Sequence, residues 1–205
     1  MKKIAYFAAA LLFCSSVTSC EKEEIGGTAT ESMAGQWYVQ IDAVDESGNP
    51  INGGEDYFGV GRTILLTYNT TTNSESEMWI DDLGAWNVAE AYSDYFPDFI
   101  APTYCIKTKV NIDQTAMTFK SSESDNIGAS YEWYDDDNNF LHGEYPMQVS
   151  IDGKILLGAG RQNNGSVADS IVFFVTYKND PWYPDDGYAK YKVSGIRYSG
   201  LVEND

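Results

Sequence analysis

The stretch Gln36-Trp37-Tyr38-Val39-Gln40-Ile41-Asp42 alternates cleanly. Trp37, Val39 and Ile41 fall on one side of an extended chain, and Gln36, Gln40 and Asp42 on the other. That period of two is the mark of a half-buried strand. Working outward, Ile106–Ile112 alternates in the same way, turns at Asp113-Gln114 and resumes at Met117–Lys120, which predicts a hairpin. Further strands are predicted at Thr63–Tyr68, Glu77–Asp81, Ala129–Tyr134, Tyr145–Ile151, Ile155–Gly158, Asp169–Tyr177 and Tyr188–Tyr198. Asp152-Gly153 reads as a tight hairpin turn between two of them. A series of about ten short strands separated by turn residues predicts an all-β sandwich or barrel. The inward candidates are Val39, Ile41, Ile106, Val110, Met147, Val149 and Ile151. Ser170–Tyr177 is apolar on both faces, so one face is expected inside and the other under a loop or helix. The rhythm breaks at Trp86–Tyr104, where a short helix over Trp86–Tyr92 is expected to stop before Pro97.

Composition narrows the classes. The chain has 205 residues, with 31 Asp plus Glu against 13 Lys plus Arg and a net charge of −18. That length fits a single domain. The acidity argues against nucleic acid as a partner, because phosphate binding needs clustered cations. Tyrosines number 15, which suits aromatic-rich strands.

The N-terminus reads as an address. Met1-Lys2-Lys3 is basic, Ile4–Phe13 is apolar and Ser15–Ser19 is mostly small, the three-part pattern of a secretory signal. The apolar run is shorter than the roughly 20 residues that span a bilayer. Val17-Thr18-Ser19-Cys20 resembles a bacterial lipobox, which implies acylation at Cys20. The expected organisation is a signal peptide over residues 1–19, an acidic flexible tether over 20–32 and one β-barrel domain over 33–205. After processing only Cys105 remains free of lipid, and one thiol forms no internal disulfide.

Gly35-Gln36-Trp37 resembles the Gly-x-Trp opening of the lipocalin and calycin barrels. The resemblance implies that Trp37 packs at the closed end under an arginine from a late strand, and Arg197 is the natural partner. Longer stretches are similar to the Bacteroidetes family called lipid-binding putative hydrolases, a set of calycin-like lipoproteins. They include Ala34–Val39, Tyr68-Asn69-Thr70 through Asn73, Met78–Asp82, Ile106–Val110, Gly153–Leu156, Asp169-Ser170-Ile171 and Ser194–Arg197. The resemblance covers most of residues 34–205. It implies an antiparallel calycin/lipocalin-like barrel of about eight to ten strands, with a long aromatic insertion near 84–104 where the family has a short turn. An eight-stranded barrel has room for one small ligand.

Catalytic signals are weak. A Ser-His-Asp hydrolase needs a histidine, and His142 is the sole one, in a stretch that reads as a turn or strand edge. No Gly-x-Ser-x-Gly elbow is present. Cys105 reads as a small hydrophobe on a strand. Asp81-Asp82, Asp135-Asp136-Asp137 and Asp185-Asp186 are too numerous to single out a pair. Asp135-x-Asp137-x-Asn139 lacks the Gly and Glu of a calcium loop, and one histidine with one mature cysteine does not suit zinc. No catalytic residue, metal or cofactor is therefore assigned. The expected function is non-covalent binding of a small hydrophobic or amphipathic, lipid-like ligand by a monomer. Membrane contact is expected through the N-terminal lipid alone, at the outer membrane. The candidate contacts are Val39, Ile41, Trp79, Trp86, Ile106, Val110, Met147, Val149, Phe173, Trp182 and Tyr183. The alternative is a cell-surface glycan-binding protein using the loop aromatics Trp86, Trp182 and Tyr183, and a hydrolase is a weaker one.

Overall fold

A computed structural model of the chain describes residues 27–51, 55–87, 104–128, 130–134, 137–144, 148–178, 180 and 190–201. The signal segment, Cys20, Met147, Trp182, Tyr183 and most of the predicted 86–92 helix lie outside them.

Ten strands are formed: β1 (Gly35–Val44), β2 (Thr63–Asn69), β3 (Glu77–Asp81), β4 (Lys107–Asp113), β5 (Thr118–Asp125), β6 (Ser130–Tyr134), β7 (Phe140–Glu144), β8 (Gln148–Arg161), β9 (Val167–Tyr177) and β10 (Lys190–Arg197). Eight of them close an antiparallel barrel in the order β1-β10-β9-β8-β5-β4-β3-β2, while β6 and β7 pair as a separate two-stranded sheet. Closure removes the free sheet edges that would otherwise pair with other chains. The alternation read from sequence sets the two faces. In β1, Trp37, Val39 and Ile41 are buried, and in β4 Thr108 and Val110 are buried between exposed Lys109 and Asn111. Charged residues therefore point outward and apolar ones inward, the reverse of a lipid-facing barrel.

Two sequence expectations are corrected. Asp152-Gly153 makes no turn, because β8 runs unbroken through it. Gly153 pairs with Phe119 of β5 and Phe173 of β9, and a Cβ there would lie 2.7 Å from the Phe119 ring. This glycine serves close approach of two aromatic side chains, a second use of strand glycine that sequence cannot tell from a turn. Phe140–Glu144, read as a turn or strand edge, is β7, so the excursion between β5 and β8 is the β6–β7 hairpin. Gly158, at φ 63°, lies where the β8–β9 register shifts between Leu156 and Gly160, a bulge. The doubly apolar β9 has the expected cover. Ile171, Phe173 and Val175 are inside, and outside the Phe174 ring sits at van der Waals range of Gly48 in the turn after β1, with Lys190 Nζ 4.2 Å from the ring centroid.

The middle of the barrel is filled. Phe119 and Phe173 meet edge to face with centroids 5.8 Å apart, among Val110, Ile151, Ile155 and Ile171. The strand connections sort by length. Short ones (70–76, 114–117 and 162–166) lie at one end, and long ones (45–62, 82–106, 126–147 and 178–189) at the other. Long loops at one end of a rigid barrel are where binding residues concentrate.

Candidate functional site at the long-loop end

The short-loop end is sealed. Arg197 stacks over Trp37 with its guanidinium carbon 4.4 Å from the ring, donates from Nε to Asp169 at 3.2 Å and from Nη1 to the Ala34 carbonyl at 2.9 Å. The Trp37 indole N–H donates to Thr67 Oγ1 at 2.8 Å, and Thr67 donates to the Met33 carbonyl at 2.7 Å. The 27–34 segment crosses this end, held by Ala29 N–H on Asn73 and by Gln114 on the Ala29 carbonyl. The tryptophan N–H and the arginine above it are thus satisfied, while the buried Thr30 hydroxyl in the crossing segment has no partner.

The long-loop end is built differently. Five rings, Tyr57, Phe58, Tyr104, Tyr177 and Tyr191, pack with neighbouring centroids 4.8–5.8 Å apart. Tyr104 and Tyr191 donate to the two oxygens of buried Asp180, and Tyr177 donates to the Tyr104 carbonyl. Burial, then the nearby negative charge of Asp82, raises Tyr177, and burial raises Tyr104 and Tyr191, so all three hydroxyls stay protonated as donors. Trp86 is fully buried in the barrel core, and its backbone carbonyl accepts from the Tyr104 N–H at 3.1 Å. Its backbone N–H is held by Asp82 at 3.1 Å, but its indole Nε1 is buried with no partner, and the side-chain oxygen of the adjacent Asn87 is likewise buried and unpaired. A buried donor left unpaired costs about 1–3 kcal/mol, and one explanation for such a group is a ligand.

Sequence reasoning missed Tyr57, Phe58, Tyr104, Tyr177, Tyr191 and Asp180. The available signal was position, since Tyr104, Tyr177 and Tyr191 all lie at or beside strand ends that topology places together. Of the ligand candidates, Val39, Ile41, Ile106, Val110, Val149 and Phe173 are buried in the core, Trp86 is fully buried at the long-loop end, and Trp79 is half-buried on the outer wall. Trp86 therefore offers no exposed face for stacking on a sugar.

The Asp81-Asp82 pair diverges at the end of β3. Burial pushes Asp81 up, but the Lys107 ammonium at 2.9 Å, the Leu83 N–H and the Tyr68 hydroxyl hold it below the ordinary carboxylate range. Asp82 points inward, accepts from the Gly84 and Trp86 N–H groups, and is raised by burial to about 6. A folded pKa above the unfolded one gives stability that is complete below about pH 4 and lost as pH rises through 6. Between pH 4 and 7 the wild type should therefore lose roughly 2–3 kcal/mol relative to Asp82→Asn. Urea denaturation of both proteins at the two pH values checks this, and parallel changes would refute it.

Cys105 is buried, and its thiol is pushed well up by burial and by the charge of Asp82. It is a protonated, inert thiol rather than an activated nucleophile. The backbone of His142 lies on β7, in the hairpin outside the barrel. Among the described residues, no cluster of three His, Cys, Asp or Glu is placed to hold a metal, and no helix is long and apolar enough to cross a membrane.

A family model described as "Lipid-binding putative hydrolase" matches residues 22–202. Among curated proteins, none matches the chain.

Proposed function

The chain belongs to the lipid-binding putative hydrolase family, and on that premise we propose that it binds one small amphipathic, lipid-like molecule at the long-loop end, without covalent chemistry. The observation that carries this reading is the unpaired, fully buried Trp86 Nε1, on a residue whose backbone carbonyl is bonded to the Tyr104 N–H. A ligand head that accepts one hydrogen bond would satisfy it, while an apolar tail would lie among Tyr57, Phe58, Tyr104, Tyr177 and Tyr191. The filled middle of the barrel limits how deep a tail reaches, so binding is confined to this end. The lipobox-like Val17–Cys20 supports an acyl anchor at Cys20 of the outer membrane. The chain enters the barrel across the sealed end, so the anchor would leave the aromatic end facing away from the bilayer.

Native mass spectrometry of the protein purified without detergent, with an organic extract analysed in parallel, tests the reading. An adduct matching an extracted lipid is expected. A bare mass together with no uptake of added fatty acids or lysolipids would sink it. Trp86→Phe sharpens the test. It keeps one aromatic ring and deletes the N–H, so lipid affinity should fall about 3- to 10-fold, while the stability of the lipid-free protein should change by no more than about 1–2 kcal/mol, since the cavity cost is partly offset by removal of an unsatisfied donor. A variant that is destabilised yet binds normally would contradict the assignment.

A further inference from the structure

A groove lies on the outer side of the barrel wall, between β4 and β5. The β4–β5 ladder holds over three residue pairs only, Asn111–Asp113 with Thr118–Lys120. Higher up, β5 departs. Its register with β8 shifts between Ser121 and Ser124, and Glu123 within that step takes φ 45°, a left-handed value that β-region side chains avoid. Glu123 is pinned there by its own N–H on Ser150 Oγ at 2.9 Å and by its carboxylate on Lys178 at 2.8 Å. The wall closes again above, where Asn126 accepts from Lys107 N–H and donates to the Cys105 carbonyl, and Ile127 N–H reaches the Lys107 carbonyl. The result is a cleft of about 470 Å³, bonded at both ends and with Glu123 in its lining. Strain maintained in this way concentrates at functional positions. Ser121, at the same step, has a buried hydroxyl with no partner.

We propose that this cleft is a binding site for a neutral pyranose of a glycan, with Trp79 as its stacking platform. The lining decides the class. Trp79 shares the lining with the polar residues Glu77, Asn111, Ser122, Glu123, Ser124 and Asp125. An acyl chain would strip water from all of these and return no hydrogen bonds, an uncompensated cost at each group. A pyranose supplies hydroxyls to each of them and a C–H face to the indole. The indole is now approached by the ammonium of exposed Lys109 at 5.8 Å, near the outer limit of a cation–π contact and readily displaced. Acidic sugars are disfavoured by Glu77 and Asp125. A peptide strand finds no free edge, because both ends of the gap are zipped. The volume lies within the roughly 300–1,000 Å³ of small-molecule sites. This site is separate from the aromatic end and does not depend on the lipid reading.

The test is a glycan array probed with the full chain, followed by titration of the best neutral oligosaccharide into the wild type, Trp79→Ala and Asn111→Ala. Binding of neutral glycans but not sialylated or uronate-rich ones is expected, with at least a tenfold loss in Trp79→Ala. Asn111 is exposed, so Asn111→Ala should keep the wild-type melting temperature and still lose about threefold or more in affinity. A silent array overturns the proposal. So does glycan binding that both variants leave intact, or preferential binding of acidic glycans.

Discussion

Trp37→Ala should lower the free energy of unfolding by about 4–5 kcal/mol, the upper range for deleting a buried aromatic. The indole is fully buried, and three separate interactions end on it or depend on it. Its volume fills the sealed end, its face supports Arg197 at 4.4 Å, and its N–H satisfies Thr67 at 2.8 Å. Truncation leaves a cavity under a guanidinium that loses its stacking surface, worth about 0.5–2 kcal/mol by itself. Trp37→Phe separates these parts. It keeps most of the volume and the stack, and Thr67 retains its bond to the Met33 carbonyl, so a loss of only about 1–2 kcal/mol is expected. Urea denaturation of the three proteins gives the comparison. If Trp37→Ala costs under about 1.5 kcal/mol, the sealed end is not held by this tryptophan.

Gly153→Ala should cost about 2–4 kcal/mol, at or above the usual range for overpacking a core. The added methyl would meet the Phe119 ring at 2.7 Å and the Phe173 Cβ more closely still. The ring can give way by changing rotamer, but the Phe173 Cβ is fixed to its strand. Phe119→Leu in the same chain should therefore recover part of the loss, not all of it, and the two substitutions should be non-additive by about 1 kcal/mol. In an Asp-Gly hairpin turn facing solvent, by contrast, alanine would not couple to Phe119 at all. Strict additivity in thermal or urea unfolding would restore the turn and remove the continuous β8.

Local pattern carried much of the fold. Alternation in β1 and β4 assigned inside and outside correctly, because side-chain direction in a strand depends only on parity. Gly153 shows where local pattern stops. Asp-Gly carries the same dipeptide signal whether glycine is needed for a turn or for the absence of a side chain, and only the neighbours supplied by β5 and β9 separate the two uses. Trp79 and Trp86 make the same point for the site. Local pattern puts one on a predicted strand and the other at the head of an expected helix, which leaves the exposure of each open. Yet one lies on the outer wall beside a cleft and the other is buried with its indole N–H unpaired.

The sequence by itself determined the all-β class and the inward face of the main strands, which follow from short-range periodicity. The contact of Trp37 with Arg197 came from the resemblance to the lipocalin and calycin barrels. The tertiary structure alone decided that the barrel is filled rather than hollow, that five rings and Asp180 from four chain segments converge at one end, and that β4 and β5 diverge to leave a groove on the outer wall. Each of those depends on residues distant in the chain meeting in space. Packing volume and strand register are properties of the closed barrel, not of any one strand.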